Sequence, residues 1–340
     1  MDNITHSLTG LVLSRAGLHR FSPRAALLLV LSANTPDIDI VALSGGPLRY
    51  LESHRGYSHS LVCLPLMAIL PVAVVAAIYR QRLPWVRAWM LCCAGIGSHL
   101  LLDWTNSFGI RPLLPFSSRW FHLDLNSLYD GWILAILTFG IVWPLFSRLV
   151  SKEIGDRAPA GVGSAILALC LLGLFDCGRA ILHARMIGQL EARVYDGAPP
   201  IQAAALPEPF TPLRWTGIVE TERDYRSIDL DVLGQIEPQS ARIFYKPPVT
   251  PALERAAATE PFRYFLYFAR FPVWSEETIA AEPNPAKRLD LTDLRFGTPG
   301  AGSFHCIALE DASGTVLDSW FTFGSGARLG RSERSSSASP

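Results

Sequence analysis

The chain has 340 residues, and its 30 basic and 30 acidic side chains cancel to no formal net charge at pH 7. A neutral balance without a basic, aromatic-rich stripe argues against a nucleic-acid partner. The six cysteines form neither a CxxC zinc pattern nor a paired framework. We therefore interpret them as small apolar residues and exclude a disulfide-rich fold.

Apolar residues make up 49% of the chain and are concentrated before residue 185, which indicates two unlike parts. Four segments are long and apolar enough to cross about 30 Å of hydrocarbon. They are 61–79, which is the clearest, 86–102, 132–150 and 163–183. Segments 4–18 and 25–43 contain polar residues and predict half-spans or helices beside a cavity. Residues 1–185 are thus predicted to form an α-helical multipass membrane domain of about four to six helices.

Charged residues near the segment ends predict the orientation in the membrane. Basic residues cluster in two loops, at Arg80, Arg82 and Arg87 and at Arg148, Lys152 and Arg157. The positive-inside rule places those loops in the cytoplasm and the C-terminal region on the extracytoplasmic face. His6, Arg15 and His19 interrupt the first apolar stretch, so we expect no cleaved signal peptide. The prediction is a multi-pass protein of the cell membrane.

The composition changes after residue 185. Residues 186–212 contain five prolines and predict a stiff linker. For 213–324 we predict a small α+β domain with antiparallel strands and with helical stretches at 250–258 and 262–271. Strand-like alternation occurs at 215–220, 225–233, 241–245, 289–296, 304–309 and 315–323. We interpret the aromatic run in 262–271 as core packing rather than as a contact with lipid or substrate. The Gly-, Ser- and Arg-rich residues 325–340 predict a disordered tail.

The residues able to carry chemistry cluster before residue 104, within or beside apolar segments. Ionisable groups at membrane depth cost of the order of several kcal/mol unless they pair or bind an ion, so the cluster indicates a functional site. His99 and Asp103 are four residues apart, which on a helix places both on one face and suits a divalent metal. A hydrogen-bonded pair that stabilises helix packing is the alternative.

A second motif is NTPDID, residues 34–39. Pro36 breaks the preceding apolar helix and presents Asp37 and Asp39 at its end. Two carboxylates so close together repel each other unless a cation lies between them. A helix cap is the alternative, but it would account for Asp37 alone.

A third motif is HRGYSHS, residues 54–60, directly before the first clear span. His59 can bind a metal, and the Arg55 guanidinium suits phosphate oxygens. The alternative for His54 and Arg55 is a polar interfacial loop whose Arg extends to the membrane surface. His6 is a weaker candidate on its own.

Four ordered motifs over about residues 1–150 resemble the membrane-bound metal-dependent hydrolases, the YdjM-like inner-membrane proteins. They are DNITHSLTG from Asp2, NTPDID, HRGYSHS, and HLLLDWTNSFGIRPLLPFS from His99. The C-terminal region, with Arg214-Trp215 and DLRF at 293–296, is similar to an extra domain in one branch of that family.

The resemblance implies a helical metal site distantly similar to those of zinc-dependent phospholipase C and single-strand nucleases. By that likeness the metal ligands would be His6, Asp37, His59, His99 and Asp103. Further ligands are not evident, since only His122, Asp124 and Asp130 offer themselves, and a mono- or dinuclear centre is expected.

The resulting hypothesis is a membrane metallohydrolase that uses a divalent cation, Zn²⁺ first and Mn²⁺ as the alternative, to cleave a phosphoester on a lipid-linked substrate. Asp37 or Asp39 would bridge metals or take the proton, and His54 would protonate the leaving group. Arg55 would stabilise negative charge. One rival is a non-catalytic, metal-stabilised membrane protein whose C-terminal domain binds an envelope partner. A metal or proton transporter is disfavoured, because segment 61–79 contains no charged residue.

Overall fold

The computed structural model describes residues 1–80, 82–153, 161–234, 240–279 and 286–324. The chain forms two compact units. The first comprises Met1–Ser44, Tyr50–Thr221 and Ser227–Arg242, and the second comprises Gly45–Arg49, Glu222–Arg226 and Ile243–Pro340. The tail for which disorder is predicted, 325–340, lies outside the described residues.

Helices dominate the first part of the chain. They are α1 Asn3–Arg15, α2 Ala25–Asn34, α3 Pro47–Ser53, α4 Leu64–Met67, α5 Ile69–Tyr79, α6 Trp85–Thr105, α7 Gly131–Glu153 and α8 Val162–Glu191, with 3₁₀ helices at Leu18–Arg20, Pro36–Gly45 and Tyr57–His59. By length and composition α6 and α8 can each cross a bilayer, and two bent helix pairs can do so jointly. The described residues thus hold two to four candidate spans, which confirms the predicted helical membrane region.

Prolines explain two interruptions of the apolar helices. As predicted, α2 ends just before Pro36, which opens a 3₁₀ helix bent by 42° from α2. The predicted span 61–79 is not one continuous helix: it follows a 90° bend, begins at Leu64 and is broken between Met67 and Ile69. Pro71 lacks the N–H group that would bond the Met67 carbonyl, so the helix breaks one turn before it.

Small residues let α1, α2 and α6 approach closely. A Cβ atom on Gly10 would lie 2.8 Å from the carbonyl oxygen of Leu29, and one on Gly95 would lie 2.0 Å from Ser32 Oγ. Small residues at helix crossings allow the close van der Waals packing by which helices associate in a membrane. This packing brings the second half of α6 against the end of α2, where the polar residues of the NTPDID motif begin.

Gly95→Ala is therefore expected to lower the free energy of unfolding by about 1–3 kcal/mol, because the added methyl group forces α2 and α6 apart. The matched control is Gly97→Ala on the same helix, where an added Cβ meets no described atom within 4 Å. Alanine also favours the helix at that position. Unfolding of both variants in detergent measures the difference, and equal effects would contradict the close α2–α6 contact.

Helix α8 continues beyond the length that a membrane requires. Its 30 residues extend about 45 Å at 1.5 Å per residue. Near its end Leu190 shares a buried core with Trp215. The segment 186–212, for which a linker is predicted, thus contains the last turns of α8 and a strand, β1 Gln202–Pro207.

Two four-stranded antiparallel sheets form the remainder and confirm the predicted α+β region. Their orders are β1-β2-β3-β4 and β5-β6-β7-β8. The other elements are β2 Arg214–Glu220, β3 Asp224–Asp231, β4 Arg242–Tyr245, α9 Pro251–Ala257, α10 Glu260–Phe268, β5 Pro272–Ile279, β6 Ala286–Asp293, β7 Phe304–Glu310 and β8 Val316–Phe323. Within the second unit α10 buries Phe262, Phe265 and Phe268 and leaves Tyr267 exposed, which supports core packing for the aromatic run.

Candidate metal centre

Four elements of the first unit meet at a buried polar cluster: the start of α1, the 3₁₀ helix after α2, the Tyr57–His59 turn and the last turns of α6. They bring together all five residues for which metal binding is predicted. Two groups of three could hold a metal ion, namely His6 with Asp37 and His99, and His59 with His99 and Asp103. Asp2 caps α1 by accepting hydrogen bonds from the backbone N–H groups of Ile4 and Thr5, which fixes the start of the helix that carries His6.

Three of the donor atoms are close enough to share one cation, and a fourth lies nearby. His59 Nε2 and His99 Nε2 are 3.1 Å apart, and Asp103 Oδ2 lies 3.4 and 3.5 Å from them. Asp37 Oδ1 lies 3.6 Å from His99 Nε2 and 3.9 Å from His59 Nε2. Ligand atoms bonded at about 2.0–2.1 Å to a tetrahedral Zn²⁺ are about 3.3–3.4 Å apart. The spacing of His59, His99 and Asp103 thus suits a divalent cation, and Asp37 Oδ1 lies near two of these three donors.

Hydrogen bonds indicate which nitrogen of each histidine ring carries the proton. His99 Nδ1 lies 2.7 Å from the Ala33 carbonyl oxygen, which can only accept, so Nδ1 carries the proton. Ser58 Oγ lies 3.1 Å from Asp39 Oδ2 and 2.9 Å from His59 Nδ1. We assign its single hydrogen to the carboxylate, which can only accept, so that Ser58 accepts from His59 Nδ1. In both neutral rings Nε2 is therefore unprotonated.

The two Nε2 atoms consequently present lone pairs to each other at 3.1 Å with no proton between them. Two facing lone pairs repel, and a cation between them would convert the repulsion into two ligand bonds. The second ring nitrogen of a metal-binding histidine usually donates to a carbonyl or carboxylate, as the Nδ1 atoms do here directly or through a hydroxyl. The donor set therefore fits a metal ion.

His6 supports the same interpretation. Its ring is buried and stacks on His99 with the centroids 3.7 Å apart, yet neither ring nitrogen has a hydrogen-bond partner among the described residues. An unsatisfied buried polar group costs roughly 1–3 kcal/mol. His6 Nε2 lies 3.4 Å from Asp103 Oδ1, the oxygen that the Met1 amino group also contacts. Asp103 thus has one oxygen towards His6 and the other towards His59.

Asp39 lies on the other side of the His59 ring. Its Oδ2 atom is 3.6 Å from His59 Nδ1 and also accepts the backbone N–H of Arg55 at 3.0 Å. Its Oδ1 atom is 3.1 Å from His54 Nδ1. The His54 ring stacks on Tyr50, and its side chain is 15% exposed. In the described part of the chain Asp39 belongs to neither group that could hold a metal.

Arg55 is buried and engaged within the protein. Its Nε atom lies 3.1 Å from Asp103 Oδ2, as an ion pair whose angle is not that of a hydrogen bond. Its Nη1 atom donates to Asn106 Oδ1 at 2.9 Å and to the Gly109 carbonyl at 3.2 Å, and the guanidinium lies over the Phe108 ring. These contacts hold the Asp103 carboxylate in place.

Charge and burial also distinguish the members of the cluster. Three carboxylates, of Asp37, Asp39 and Asp103, face two cations, the Arg55 guanidinium and the Met1 amino group. A buried excess of negative charge is costly unless an ion balances it.

The side chain of Asp37 is 19% exposed, whereas those of the other four predicted ligands are 0–2% exposed. The cluster therefore opens to its surroundings at Asp37.

Some residues of this centre were not predicted. Ser58 and the Ala33 carbonyl orient the two histidine rings, Asn106 holds Arg55, and Asn3 Nδ2 donates to Asp37 Oδ2 at 3.2 Å. Three of these four lie within the quoted motifs, and Ala33 directly precedes NTPDID. Their positions were therefore available from the sequence, but their partners depend on tertiary packing.

Comparison with known proteins assigns the helical region. The YdjM inner membrane protein family matches residues 1–180, more than half of the chain. The chain belongs to this family. The match contains every residue of the metal cluster, and both sheets lie beyond it. Uncharacterized protein YfhP of Bacillus subtilis (strain 168) is 26% identical over 143 residues, which cover 39% of this chain and 43% of YfhP.

The chain thus spans less than half the length of that relative. No solved structure matches the chain. The expected likeness to zinc-dependent phospholipases and nucleases stays a prediction.

Proposed function

We propose that this member of the YdjM family is a membrane metallohydrolase that cleaves a phosphoester. The observation that carries the proposal is the 3.1 Å separation of the His59 and His99 Nε2 atoms beside two carboxylates, and we assign both atoms as unprotonated from the partners of Nδ1. The residues that would hold the ion are His6, Asp37, His59, His99 and Asp103. The mixed nitrogen and oxygen set favours Zn²⁺, with Mn²⁺ as the alternative. A divalent ion held there supplies Lewis-acid activation of water and of a phosphoryl oxygen.

Asp37 and His54 are the proposed proton carriers. Asp37 is the donor furthest from the two rings and the most exposed one, so its carboxylate can accept a proton where water reaches the cluster. Asn3 holds its other oxygen and keeps Oδ1 directed at the histidines. His54 Nδ1 is paired with Asp39, so the ring must first take up a proton at Nε2, and the doubly protonated ring can then protonate the leaving oxygen.

Arg55 and Asp39 act on neighbouring groups in this proposal. Because the Arg55 guanidinium already contacts Asp103 and Asn106, its first role is to neutralise and hold the Asp103 carboxylate. A direct contact between Arg55 and a phosphate oxygen stays a prediction. Asp39 steadies His54 and the backbone of Arg55.

The surroundings of Asp37 support a lipid-linked substrate. Large apolar side chains on or beside the elements that carry the cluster are exposed, namely Ile4, Ile38, Ile40, Val41, Tyr57 and Leu61. Apolar surface of this kind is covered by hydrocarbon in a membrane protein. A phosphoester attached to a lipid can therefore approach the cluster from the bilayer, with its head group at Asp37.

Membrane topology belongs to the same proposal. The basic loops predict a multi-pass protein whose C-terminal residues are extracytoplasmic. The boundaries proposed from composition are a membrane domain at 1–185, a connecting segment at 186–212 and an α+β domain at 213–324. A lipid bilayer is the expected partner, and nucleic acid is not expected.

A structural metal site without hydrolysis is the second candidate. The observation that favours it is the triad of His59, His99 and Asp103 with a further donor, Asp37 Oδ1, 3.6–3.9 Å from the two ring nitrogens, because structural zinc sites are closed by four protein ligands. Catalytic sites keep one position for water. Asp37, with the longest distances in the set, decides between the two candidates, because its displacement opens the fourth position.

Hydrolysis by the Zn²⁺-loaded protein in detergent tests the proposal. A panel of bis-p-nitrophenyl phosphate and phospholipid esters should be cleaved, with at least about a 100-fold lower rate after His99→Ala. Asp37→Asn should keep the metal and lose activity. If the fully loaded protein cleaves none of these esters faster than His99→Ala does, the structural-site candidate replaces the hydrolase.

A further inference from the structure

Asp39, on the 3₁₀ helix after α2, makes several polar contacts with the loop that carries His54, Arg55, Ser58 and His59. Asp39 accepts hydrogen bonds from the Arg55 backbone N–H and from the Ser58 hydroxyl on Oδ2, and it is paired with His54 Nδ1 on Oδ1. Arg55 has a positive φ of 52°, a conformation that a non-glycine residue adopts at a cost. The contacts of Asp39 therefore fix both the course of this loop and the hydroxyl next to His59.

We infer that Asp39 and Ser58 are positioning residues that set the ring tautomer of His59 and so make its Nε2 atom available to a metal. A neutral imidazole has one N–H, and its location is decided by the partner of the other nitrogen. Asp39 takes the only hydroxyl hydrogen of Ser58, and Ser58 must then accept from His59 Nδ1. Without that acceptor, His59 could move its proton to Nε2 and donate it to His99 Nε2, 3.1 Å away.

The two predicted catalytic aspartates therefore have different tasks. Asp37 lies on the side of the rings where the Nε2 atoms meet, and Asp39 lies on the Nδ1 side of His59. Loss of Asp39 would reach the metal position through Ser58, through the loop and through the Nδ1 side of the His59 ring. This inference rests on the metal binding proposed above, but it concerns affinity and ring protonation rather than hydrolysis.

Zn²⁺ affinity of the full chain in detergent, measured by competition with a chromophoric chelator, provides the test. Ser58→Ala should bind Zn²⁺ about 10–100-fold more weakly, the usual consequence of removing a hydrogen-bond partner of a ligating histidine. Ser58→Thr keeps a hydroxyl and should restore affinity to within about threefold of wild type. The matched control is Ser98→Ala, since Ser98 precedes the other histidine but donates only to its own helix at Gly95.

Ring protonation provides a readout that a merely structural role would not change. In metal-free protein labelled with ¹⁵N-histidine, the His59 signal should report a proton on Nδ1 in wild type and on Nε2 in Ser58→Ala. The inference is overturned if wild type binds Zn²⁺ and Ser58→Ala binds it equally well. It is also overturned if Ser58→Thr is as weak as Ser58→Ala, or if wild-type His59 is protonated on Nε2. Failure of wild type to bind Zn²⁺ at all would instead remove the proposed function.

Discussion

His99→Ala is expected to weaken Zn²⁺ binding by more than about 100-fold. Loss of a residue that only hydrogen-bonds to a metal ligand weakens binding about 10–100-fold, and loss of a ligand itself should cost more. The imidazole Nε2 atom of His99 lies within 3.1–3.6 Å of three other donors, on His59, Asp103 and Asp37. No other atom of His99 can replace it, because Nδ1 is bound to the Ala33 carbonyl. Competition titration against a zinc chelator in detergent measures the change.

The matched control is His19→Ala, which removes an exposed histidine whose Nδ1 contacts only the Ser14 carbonyl among the described contacts. It should leave the affinity unchanged. Asp103→Asn is a less specific probe, because Arg55 and the Met1 amino group also depend on that carboxylate. If both His99→Ala and His19→Ala kept the Zn²⁺ affinity of the wild type, the metal would bind elsewhere in the chain.

The second large effect is expected at a buried ion pair of the same unit. Arg179→Met should lower the free energy of unfolding by about 3–5 kcal/mol, because it leaves the Asp130 carboxylate buried without its partner. Arg179 Nη2 donates to Asp130 Oδ2 at 3.0 Å, and the two side chains are 1% and 0% exposed. Equilibrium unfolding in mixed detergent and SDS gives the free energy.

Two further variants separate the charge from the shape of the side chain. Arg185→Met changes an exposed arginine of the same helix and should cost less than about 0.5 kcal/mol. Asp130→Asn, added to Arg179→Met, should recover part of the loss, since asparagine can still accept from the backbone N–H groups of Trp132 and Ile133 without a buried charge. An Arg179→Met cost no larger than that of Arg185→Met would contradict the buried pair.

Much of the candidate site is predictable from local sequence. The four-residue spacing of His99 and Asp103 places them on one helix face, and the structure brings them to 3.5 Å. Pro36 ends α2 and presents Asp37 and Asp39, as its missing N–H dictates. That His6 and His59 belong to one ligand set with His99 was implied by the family resemblance.

The roles within the site depend on tertiary contacts that spacing does not encode. Nothing in the sequence says that Ser58 donates to Asp39, or that Ala33 presents its carbonyl to His99, yet these bonds set both ring tautomers. The sequence predicts an Arg55 side chain that is available to bind phosphate. In the structure, packing against Phe108 and Asp103 buries it. Hydrogen-bond partners across four elements decide these points.

The fold, like the site, was predictable only in part from local sequence. Runs of apolar residues predicted the helical region, but the predicted span 61–79 is broken because Pro71 removes a helix hydrogen bond. Strands β1 and β5 were not predicted. β1 is alanine-rich and ends at Pro207, while β5 carries Glu276 and Glu277, and both lie at sheet edges that tolerate proline and charge.

Elemental mass spectrometry of the wild-type protein, purified in detergent and resupplied with metal, tests the central claim most directly. We expect about one to two Zn or Mn ions per chain, consistent with the donors of His6, Asp37, His59, His99 and Asp103. His99→Ala, purified in parallel, should lose them. A folded wild-type protein that stays metal-free after resupply would contradict the metal centre and leave the cluster as a packing feature.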